Sequence, residues 1–392
     1  MLSVSSGRRI VCITGGSGFR KAALEIVKLT HRSSHLIGIA DNWRSSGVLR
    51  RFFEMEALGD IRSRLIDLAD TEAPGFREST NLLKHRLSKD ATQRALEQEL
   101  DDILTGRHPK SQALYASKDA PGFAEIIIKH IKFFADARPE AEEHVGEEFD
   151  LRRASIGNLF LTGAYLDYER NIESAIFLYN GLGRVRGDVI PATFGNIHLA
   201  AMLEDGTELI GQHVISHVNT SLSPIARLYY IDSLDGATCQ ELHPELNPRA
   251  AKALKEAEMI VYCIGSLRTS LEAVLKLQGI AEPIRESEAI KVFTANPIED
   301  AETRGMTAGT MAAEIISTLR DADSCPSSND NDYLQHMIVG DHTARSMPDG
   351  RILVPTDHAG LDLRVTQSPL EPITAHFQPK PLVEKIFGLF DA

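Results

Sequence analysis

The stretch RIVCITGGSGFRKAALEIVKLTHR, residues 9–32, decides the fold class. Residues 9–14 form a short apolar run rich in β-branched side chains, GGSG at 15–18 breaks the chain, and the segment that follows has apolar residues at helical spacing. The run HLIGIA, residues 35–40, predicts the next buried strand. Strand, glycine turn, helix and strand form a βαβ unit, in which the two strands are parallel.

Two later runs repeat this pattern. MIVYCI at 259–264 and KVFTANP at 291–297 predict buried strands, and helical patterns follow both. Apolar and polar side chains alternate in residues 189–216, and Glu204-Asp205-Gly206 is a turn sequence, which together predict a β-hairpin. The sequence therefore predicts an α/β fold, with a doubly wound, mostly parallel Rossmann-like sheet, a helical insertion and a small β-hairpin region.

Changes in composition predict four parts of the chain. Residues 1–75 are the first part of an α/β nucleotide-binding core, and 76–150, charged and helical, are an insertion. Residues 151–320 are the remainder of the core, and 321–392 are a C-terminal extension that packs on it. The insertion is either a solvated helical layer or a surface for partners.

The composition excludes several classes of function. The 392 residues include 42 Lys+Arg and 55 Asp+Glu, a net charge of −13, which disfavours binding to nucleic acid or anionic membranes. The four cysteines form no C-x-x-C pair, which disfavours a zinc site or a disulfide framework. No apolar stretch reaches the length of a membrane span or a signal peptide, so we expect a cytoplasmic protein.

The first glycine turn is a candidate anion site. Ligands of parallel sheets bind outside the carboxyl ends of the strands, and Gly15, Gly16 and Gly18 lie at such an end, before a helix. Glycines let backbone N–H groups approach a phosphate, and a helix N-terminus favours negative charge. A tight turn without a ligand is the alternative. The dinucleotide fingerprint G-x-G-x-x-G is not met, because Lys21 stands at its last position.

The second strand is followed by a polar loop. Asp41 ends the strand, and Ser45 and Ser46 add hydroxyl and backbone donors for a phosphate or a ligand hydroxyl. An Asx or Ser cap of the following helix is the alternative. Trp43, the only tryptophan, either stacks on a base or packs against the protein.

Further along the chain, polar residues suggest metal and phosphate contacts. Asp60 is a candidate for binding magnesium or a substrate hydroxyl, and Arg62 is a candidate for binding a phosphate. The alternative for both residues is a local ion pair or helix cap. Asn158 is either a helix N-cap or a ligand contact. Gly265, Ser266 and Ser270 repeat the glycine-turn pattern after another strand.

Motifs of covalent catalysis are absent from the sequence. It contains no G-x-S-x-G nucleophile elbow and no H-E-x-x-H zinc motif. None of the fourteen histidines pairs obviously with a nucleophile, so a covalent mechanism is not favoured.

The order of these motifs resembles the CofD/YvcK superfamily, which contains the 2-phospho-L-lactate transferases and the gluconeogenesis-factor (UPF0052) proteins. The chain is most similar to a CofD-like branch with a longer helical insertion. The motifs that carry the resemblance are GGSG (15–18), AD-x-x-x-SSG-x-LRR (40–51), GDIR (59–62), SIGNL (155–159), RG-x-V-x-PAT (186–193), LEDGT (203–207), IGSL-x-TS (264–270), GIAE-x-IR (279–285) and AN-x-x-x-x-x-ET-x-G-x-T (295–307).

The resemblance implies a nucleoside-diphosphate-linked ligand of GDP or UDP type. On the transferase branch, a phosphate-linked group passes from a guanosine-diphosphate-linked donor to an alcohol, with magnesium, and a nucleoside monophosphate leaves. It implies catalytic roles for Asp41, Asp60 and Arg62, with Asp41 and Asp60 as magnesium ligands. The ligand-binding residues that it implies are Gly15, Gly16, Gly18, Ser45, Ser46, Asn158, Gly265, Ser266, Ser270 and Asn296.

The resemblance leaves alternative functions open. The gluconeogenesis-factor branch implies a non-catalytic, regulatory protein that binds a UDP-sugar. The βαβ pattern by itself is also compatible with an NAD-dependent oxidoreductase. The chain departs from the family at Asn42-Trp43-Arg44 and Cys263-Ile264, both in expected phosphate loops. We expect a small-molecule partner and neither nucleic acid nor membrane, with a homodimer as one option.

Overall fold

A computed structural model describes residues 7–73, 75–119, 122–217, 223–236, 238–325 and 328–391. The chain divides into two compact units. One comprises residues 1–38 and 190–392, and the other comprises residues 39–189. The division at residues 75, 150 and 320 that composition suggests stays a prediction. Among the described residues, none of the helices combines the length and the apolar character that a membrane crossing requires.

The larger sheet has seven strands. They are β1 (Ile10–Thr14), β2 (Ser33–Ile37), β3 (Asp188–Pro191), β8 (Met259–Tyr262), β9 (Ile290–Thr294), β10 (His336–Gly340) and β11 (Arg364–Ser368). The sheet belongs to the first unit except for Asp188 and Val189 of β3, which fall in the second. Their order is β11-β10-β9-β8-β1-β2-β3, and the pairs from β11 to β2 are parallel. Every residue of β1 and β8 is buried, as expected for central strands covered on both faces.

The strand order reverses between β1 and β8. From β1 the chain order runs outward to β2 and β3 on one side, and from β8 it runs outward to β11 on the other. Such a reversal is the topological switch point of an open α/β sheet, where the carboxyl ends of two adjacent strands leave a crevice. The predicted doubly wound, mostly parallel sheet is confirmed.

A four-stranded antiparallel sheet belongs to the same unit. It comprises β4 (His198–Leu203), β5 (Glu208–Ile210), β6 (Ile225–Ile231) and β7 (Glu241–Leu242), in the order β5-β4-β6-β7. The β4–β5 pair is the predicted hairpin, turning after Leu203. The helices of this unit are α1 (Arg20–Ile26), α10 (Gln212–Ser216), α11 (Pro248–Glu256), α12 (Ala273–Leu275), α13 (Ala281–Glu286), α14 (Ala308–Ala322) and α15 (Pro379–Gly388).

The second unit is helical. Its helices are α2 (Arg44–Phe53), α3 (Gly59–Leu68), α4 (Phe76–Leu83), α5 (Gln93–Leu104), α6 (Pro109–Tyr115), α7 (Phe123–Val145), α8 (Ile156–Asp167) and α9 (Ile172–Gly183). Helix α8 is buried from Ile156 to Tyr165, so it is the central helix of this unit. The would-be Cβ of Gly163 lies 1.7 Å from the carbonyl oxygen of His130, so helices α7 and α8 touch backbone to backbone.

Several predicted boundaries are wrong. Strand β2 ends at Ile37, three residues before the predicted end, and α1 ends at Ile26, although helical spacing continues beyond it. The segment 267–277, predicted as a helix, begins as a π-helix, Leu267–Glu272, and continues as α12, which ends at Leu275.

Candidate functional site

The two glycine turns at the switch point touch each other. GGSG follows β1, and Gly265-Ser266 follows β8. A Cβ on Gly18 would lie 2.8 Å from the Cα of Gly265 and 2.8 Å from the carbonyl oxygen of Ile264. Only glycine fits at residue 18, because a Cβ there would collide with backbone atoms, which cannot rotate away.

The first turn leaves backbone donors unused. Gly15 and Gly16 are buried, and Ser17 and Gly18 are exposed. Within the described part of the chain, no hydrogen bond engages the amides of Gly16, Ser17 and Gly18. Unpaired amides before a helix are the groups that bind phosphate in other α/β proteins.

The second turn is satisfied by the protein itself. The amide of Ile264 donates to Thr294 Oγ1 at 2.9 Å, and the amide of Gly265 donates to Asn296 Oδ1 at 3.0 Å. The Asn296 side chain also donates through Nδ2 to the carbonyl oxygen of Gly265 at 2.6 Å. Gly265 has φ +151°, a conformation that glycine adopts readily, so Asn296 holds this turn in place.

A buried carboxylate accepts hydrogen bonds from the first amides of the π-helix. Glu302 Oε2 accepts from the amides of Arg268 and Thr269 at 2.9 and 3.0 Å. Its Oε1 accepts from the hydroxyls of Thr269 and Ser216 at 2.7 and 2.8 Å. Burial raises the pKa of Glu302, while the bonds from Thr269 and Ser216 oppose that rise. Glu302 therefore occupies hydrogen-bond donors at the start of the π-helix, and ligand binding by Ser266 and Ser270 stays a prediction.

Gly18→Ala is expected to lower the thermal unfolding midpoint of the full chain. The added methyl group forces the two turns apart, and overpacking of this kind costs about 1–3 kcal/mol. Gly388→Ala is the matched control, because a Cβ there meets nothing within 4 Å. Equal unfolding midpoints for Gly18→Ala and Gly388→Ala, measured by circular dichroism, would disprove the close contact of the turns.

The second unit gathers most of the other predicted residues. Arg62 Nε donates to Asn158 Oδ1 at 3.1 Å, and Asn158 Nδ2 donates to Ser45 Oγ at 2.9 Å. Arg62 and Asn158 are 96 positions apart in the sequence, and Ser45 and Asn158 are 113 apart, so these residues meet only in the folded chain. Asn158 is not an N-cap: α8 begins at Ile156 after the N-cap Ser155, and Asn158 lies inside the helix, 1% exposed.

Asp41 and Ser46 lie beside this chain of bonds. Asp41 Oδ1 accepts from the amide of Trp43 at 3.0 Å. The alternative of an Asx or Ser cap is wrong, because Trp43 is the N-cap of α2 and, among the described residues, no side chain caps the helix. A Cβ on Gly59 would lie 2.3 Å from Ser46 Oγ and 3.6 Å from Asp41 Oδ2. Asp60, the next residue, lies in the first turn of α3. Asp41, Ser46 and the start of α3 are therefore neighbours.

The arginines of this cluster act on one another in pairs. Burial, and after it the charge of Arg86, lowers the pKa of Arg62 to about 10, while Asp60 and Asp67 oppose that shift. Burial likewise lowers the pKa of Arg86, with a second contribution from Arg44. The exposed Trp43 ring lies against Arg44, whose guanidinium carbon is 5.8 Å from the ring centroid. Mutual repulsion among arginines favours an anionic ligand.

Sequence reasoning missed three of these groups. Glu302 was noted only as part of a motif, Arg44 only as a departure from the family pattern, and Arg86 not at all. Arg86 lies in the segment that was interpreted as an insertion, and nothing in its neighbours indicates contact with Arg62. The structure places the predicted site residues of the first unit at strand-end turns, except Ser270, which lies in the π-helix, and places the others within the second unit.

Comparison with known proteins is consistent with this geometry. A family model described as 2-phospho-L-lactate transferase CofD matches residues 10–366. The chain is 27% identical over 346 residues to the protein named uncharacterized protein YNL011C of Saccharomyces cerevisiae, covering 70% of this chain and 74% of the yeast protein. It is 28% identical over 302 residues to a putative gluconeogenesis factor of Nostoc. That match covers 77% of this chain but only 50% of the longer Nostoc protein.

The fold also matches a solved structure. A crystal structure of a UPF0052-family protein from Bacillus halodurans superposes with a TM-score of 0.68 at 19% identity, covering 97% of this chain and 99% of that one. At this identity the likeness establishes the α/β fold alone. The family match, which spans most of the sequence, establishes the relationship: the chain belongs to the 2-phospho-L-lactate transferase CofD family.

Proposed function

We propose that the protein binds a nucleoside-diphosphate-linked ligand and transfers a phosphate-linked group from it to an alcohol. The observation that carries the proposal is the pair of touching glycine turns at the switch point, with unused amides at Gly16, Ser17 and Gly18. Crevices at this position of open α/β sheets bind nucleotides. A phosphate on these amides would receive several backbone hydrogen bonds at once.

The polar cluster of the second unit contains groups of the kind that transfer to an alcohol requires. Phosphoryl-type transfer depends on positioning and on neutralising charge more than on a protein nucleophile. Arg62 offers a guanidinium to a phosphate, and Asn158 and Ser45 orient that guanidinium through their hydrogen bonds. Arg44 and Arg86 add positive charge nearby.

Magnesium fits the carboxylates of this cluster. Mg²⁺ binds proteins through one or two carboxylates and keeps several waters or phosphate oxygens. Asp41 Oδ2 lies 3.6 Å from the position that a Cβ of Gly59 would take, immediately before Asp60, so Asp41 and Asp60 would hold the ion. When bound, it would neutralise phosphate charge. The chain's own part is to hold that ion and the arginines in fixed positions.

A regulatory function is the second candidate. Several relatives carry the name gluconeogenesis factor rather than that of an enzyme. A protein of that kind would use the unused amides of Gly16, Ser17 and Gly18 to bind a UDP-sugar without turning it over. An NAD-dependent oxidoreductase has less support, because Lys21 stands where the dinucleotide fingerprint needs its third glycine.

Titration calorimetry of the full chain tests the proposal. GDP, a UDP-sugar and NADH are titrated separately, each with and without Mg²⁺. We expect saturable heat with GDP or the UDP-sugar and tighter binding with Mg²⁺. The proposal would be refuted if only NADH gave saturable heat, or if none of the three nucleotides did.

A turnover assay separates the two candidates. A nucleoside-diphosphate-linked donor is incubated with the protein and a panel of alcohols, and free nucleoside monophosphate is measured by chromatography. Release that depends on the alcohol supports the transferase. Binding without any release supports the regulatory function.

A further inference from the structure

Two histidines and a glutamate form a half-buried cluster in the helical unit, outside the site described above. His85 follows α4, Glu99 lies on α5, and His108 is the N-cap of α6. Their side chains are 18%, 29% and 15% exposed. His85 Nε2 lies 2.6 Å from Glu99 Oε1, and His108 Nε2 lies 3.9 Å from the same oxygen.

We propose that His85, Glu99 and His108 bind one divalent transition-metal ion of the zinc class. One ligand atom from each residue lies within 4.8 Å of the other two, and within the described residues this is the group that meets such a criterion. Two imidazole nitrogens and one carboxylate oxygen are a known ligand set for Zn²⁺, with bonds of roughly 2.0–2.2 Å. Ligand atoms at a tetrahedral ion are then about 3.3 Å apart, a value between the two distances observed here.

The cluster reaches binding geometry by small side-chain movements. The imidazole centroids of His85 and His108 are 4.9 Å apart, with the rings tilted by 42°. An ion between them would draw His108 closer and widen the short contact between His85 and Glu99. Because Glu99 remains partly exposed, a water molecule can complete the coordination.

One existing hydrogen bond must be given up for the metal to bind. His108 Nδ1 accepts from the amide of Lys110 at 3.2 Å, so the neutral ring carries its proton on Nε2. Coordination through Nε2 moves that proton to Nδ1 and breaks this long capping bond. Burial lowers the pKa of His108, with the charge of His85 as the second cause.

The metal would join three helices. The three ligands come from the end of α4, the middle of α5 and the start of α6, which are otherwise short helices linked by turns. Because an ion that binds the folded chain stabilises it by mass action, occupancy of the cluster should raise the unfolding temperature. The site acts within the helical unit and does not depend on the proposed transferase activity.

Metal titration of the chelator-treated full chain tests this inference. We expect one equivalent of Zn²⁺ to bind saturably and to raise the unfolding midpoint, and Co²⁺ to give the visible absorption of a tetrahedral complex. Glu99→Gln preserves side-chain shape but removes the charge, and His85→Ala and His108→Ala each remove one ligand. Each should weaken Zn²⁺ binding at least tenfold.

His144→Ala is the matched control, because His144 is an exposed histidine of the same unit outside the cluster. It should bind Zn²⁺ like the unmodified chain. No saturable binding of one equivalent would overturn the inference. Unchanged affinity in folded Glu99→Gln protein, which keeps the cluster's shape, would also overturn it, even if the histidine variants failed to fold.

Discussion

Replacing Gly163 with alanine is expected to destabilise the protein by about 3 kcal/mol, the upper part of the range for overpacked cores. A Cβ at this position would lie 1.7 Å from the carbonyl oxygen of His130, 2.7 Å from its carbonyl carbon and 3.1 Å from the amide nitrogen of Phe134. All three atoms are backbone atoms of α7, so no side-chain rotation relieves the clash. Helices α7 and α8 must separate, and α8 is the buried centre of its unit.

The thermal unfolding midpoint by circular dichroism is the measurement. Gly181→Ala is the control, because this residue also lies in a helix, α9, but a Cβ there meets nothing within 4 Å. Alanine should stabilise that helix by about 0.5–1 kcal/mol relative to glycine. If Gly163→Ala has the same unfolding midpoint as the unmodified protein, the two helix backbones are not in direct contact.

Replacing Arg62 with alanine is expected to weaken binding of the phosphate-bearing ligand by roughly 10- to 150-fold. The estimate comes from the loss of hydrogen bonds to a charged group, about 1.5–3 kcal/mol. Stability should fall as well, because Asn158 Oδ1, in a residue that is 1% exposed, loses its donor, and the relief of repulsion with Arg86 offsets only part of that loss.

The control variants separate charge from geometry. Arg62→Lys keeps the charge but loses the forked donor pattern, so it should recover only part of the affinity. Arg152→Ala removes an exposed arginine paired with Asp150 and should bind like the unmodified chain. Calorimetry with GDP and with a UDP-sugar gives the affinities. If Arg62→Ala binds both as the unmodified chain does, Arg62 is not a phosphate contact.

The sequence predicted those strands whose apolar runs end at glycine or asparagine. β1, β8 and β9 are short, largely apolar and followed by turns, so local pattern and tertiary burial agree. The strand β11 was missed, because RVTQS at the edge of the sheet is mostly exposed and has no apolar pattern. The segment HMIVG of β10 was also missed, because it follows a polar loop.

The start of the segment 267–275 differs from prediction for a tertiary reason. Its sequence has ordinary helical spacing, and the local pattern therefore predicts an α-helix. The carboxylate that binds its first amides belongs to Glu302, 34 residues after Arg268 and 33 after Thr269. Likewise, the sequence identified Arg62, Asn158 and Ser45 separately, but no local signal indicates that one hydrogen-bond chain joins them.

The pairing of β1 with β8 has a consequence for how the chain is made. Ile10 of β1 lies opposite Met259 of β8, so β1 can pair with β8 only after some 249 further residues have been synthesised. Contacts so distant in sequence carry a high entropic cost of loop closure and slow folding. A ribosome-bound chain would thus hold an unpaired apolar edge on β1 through most of translation, and unpaired strand edges of this kind promote aggregation during folding.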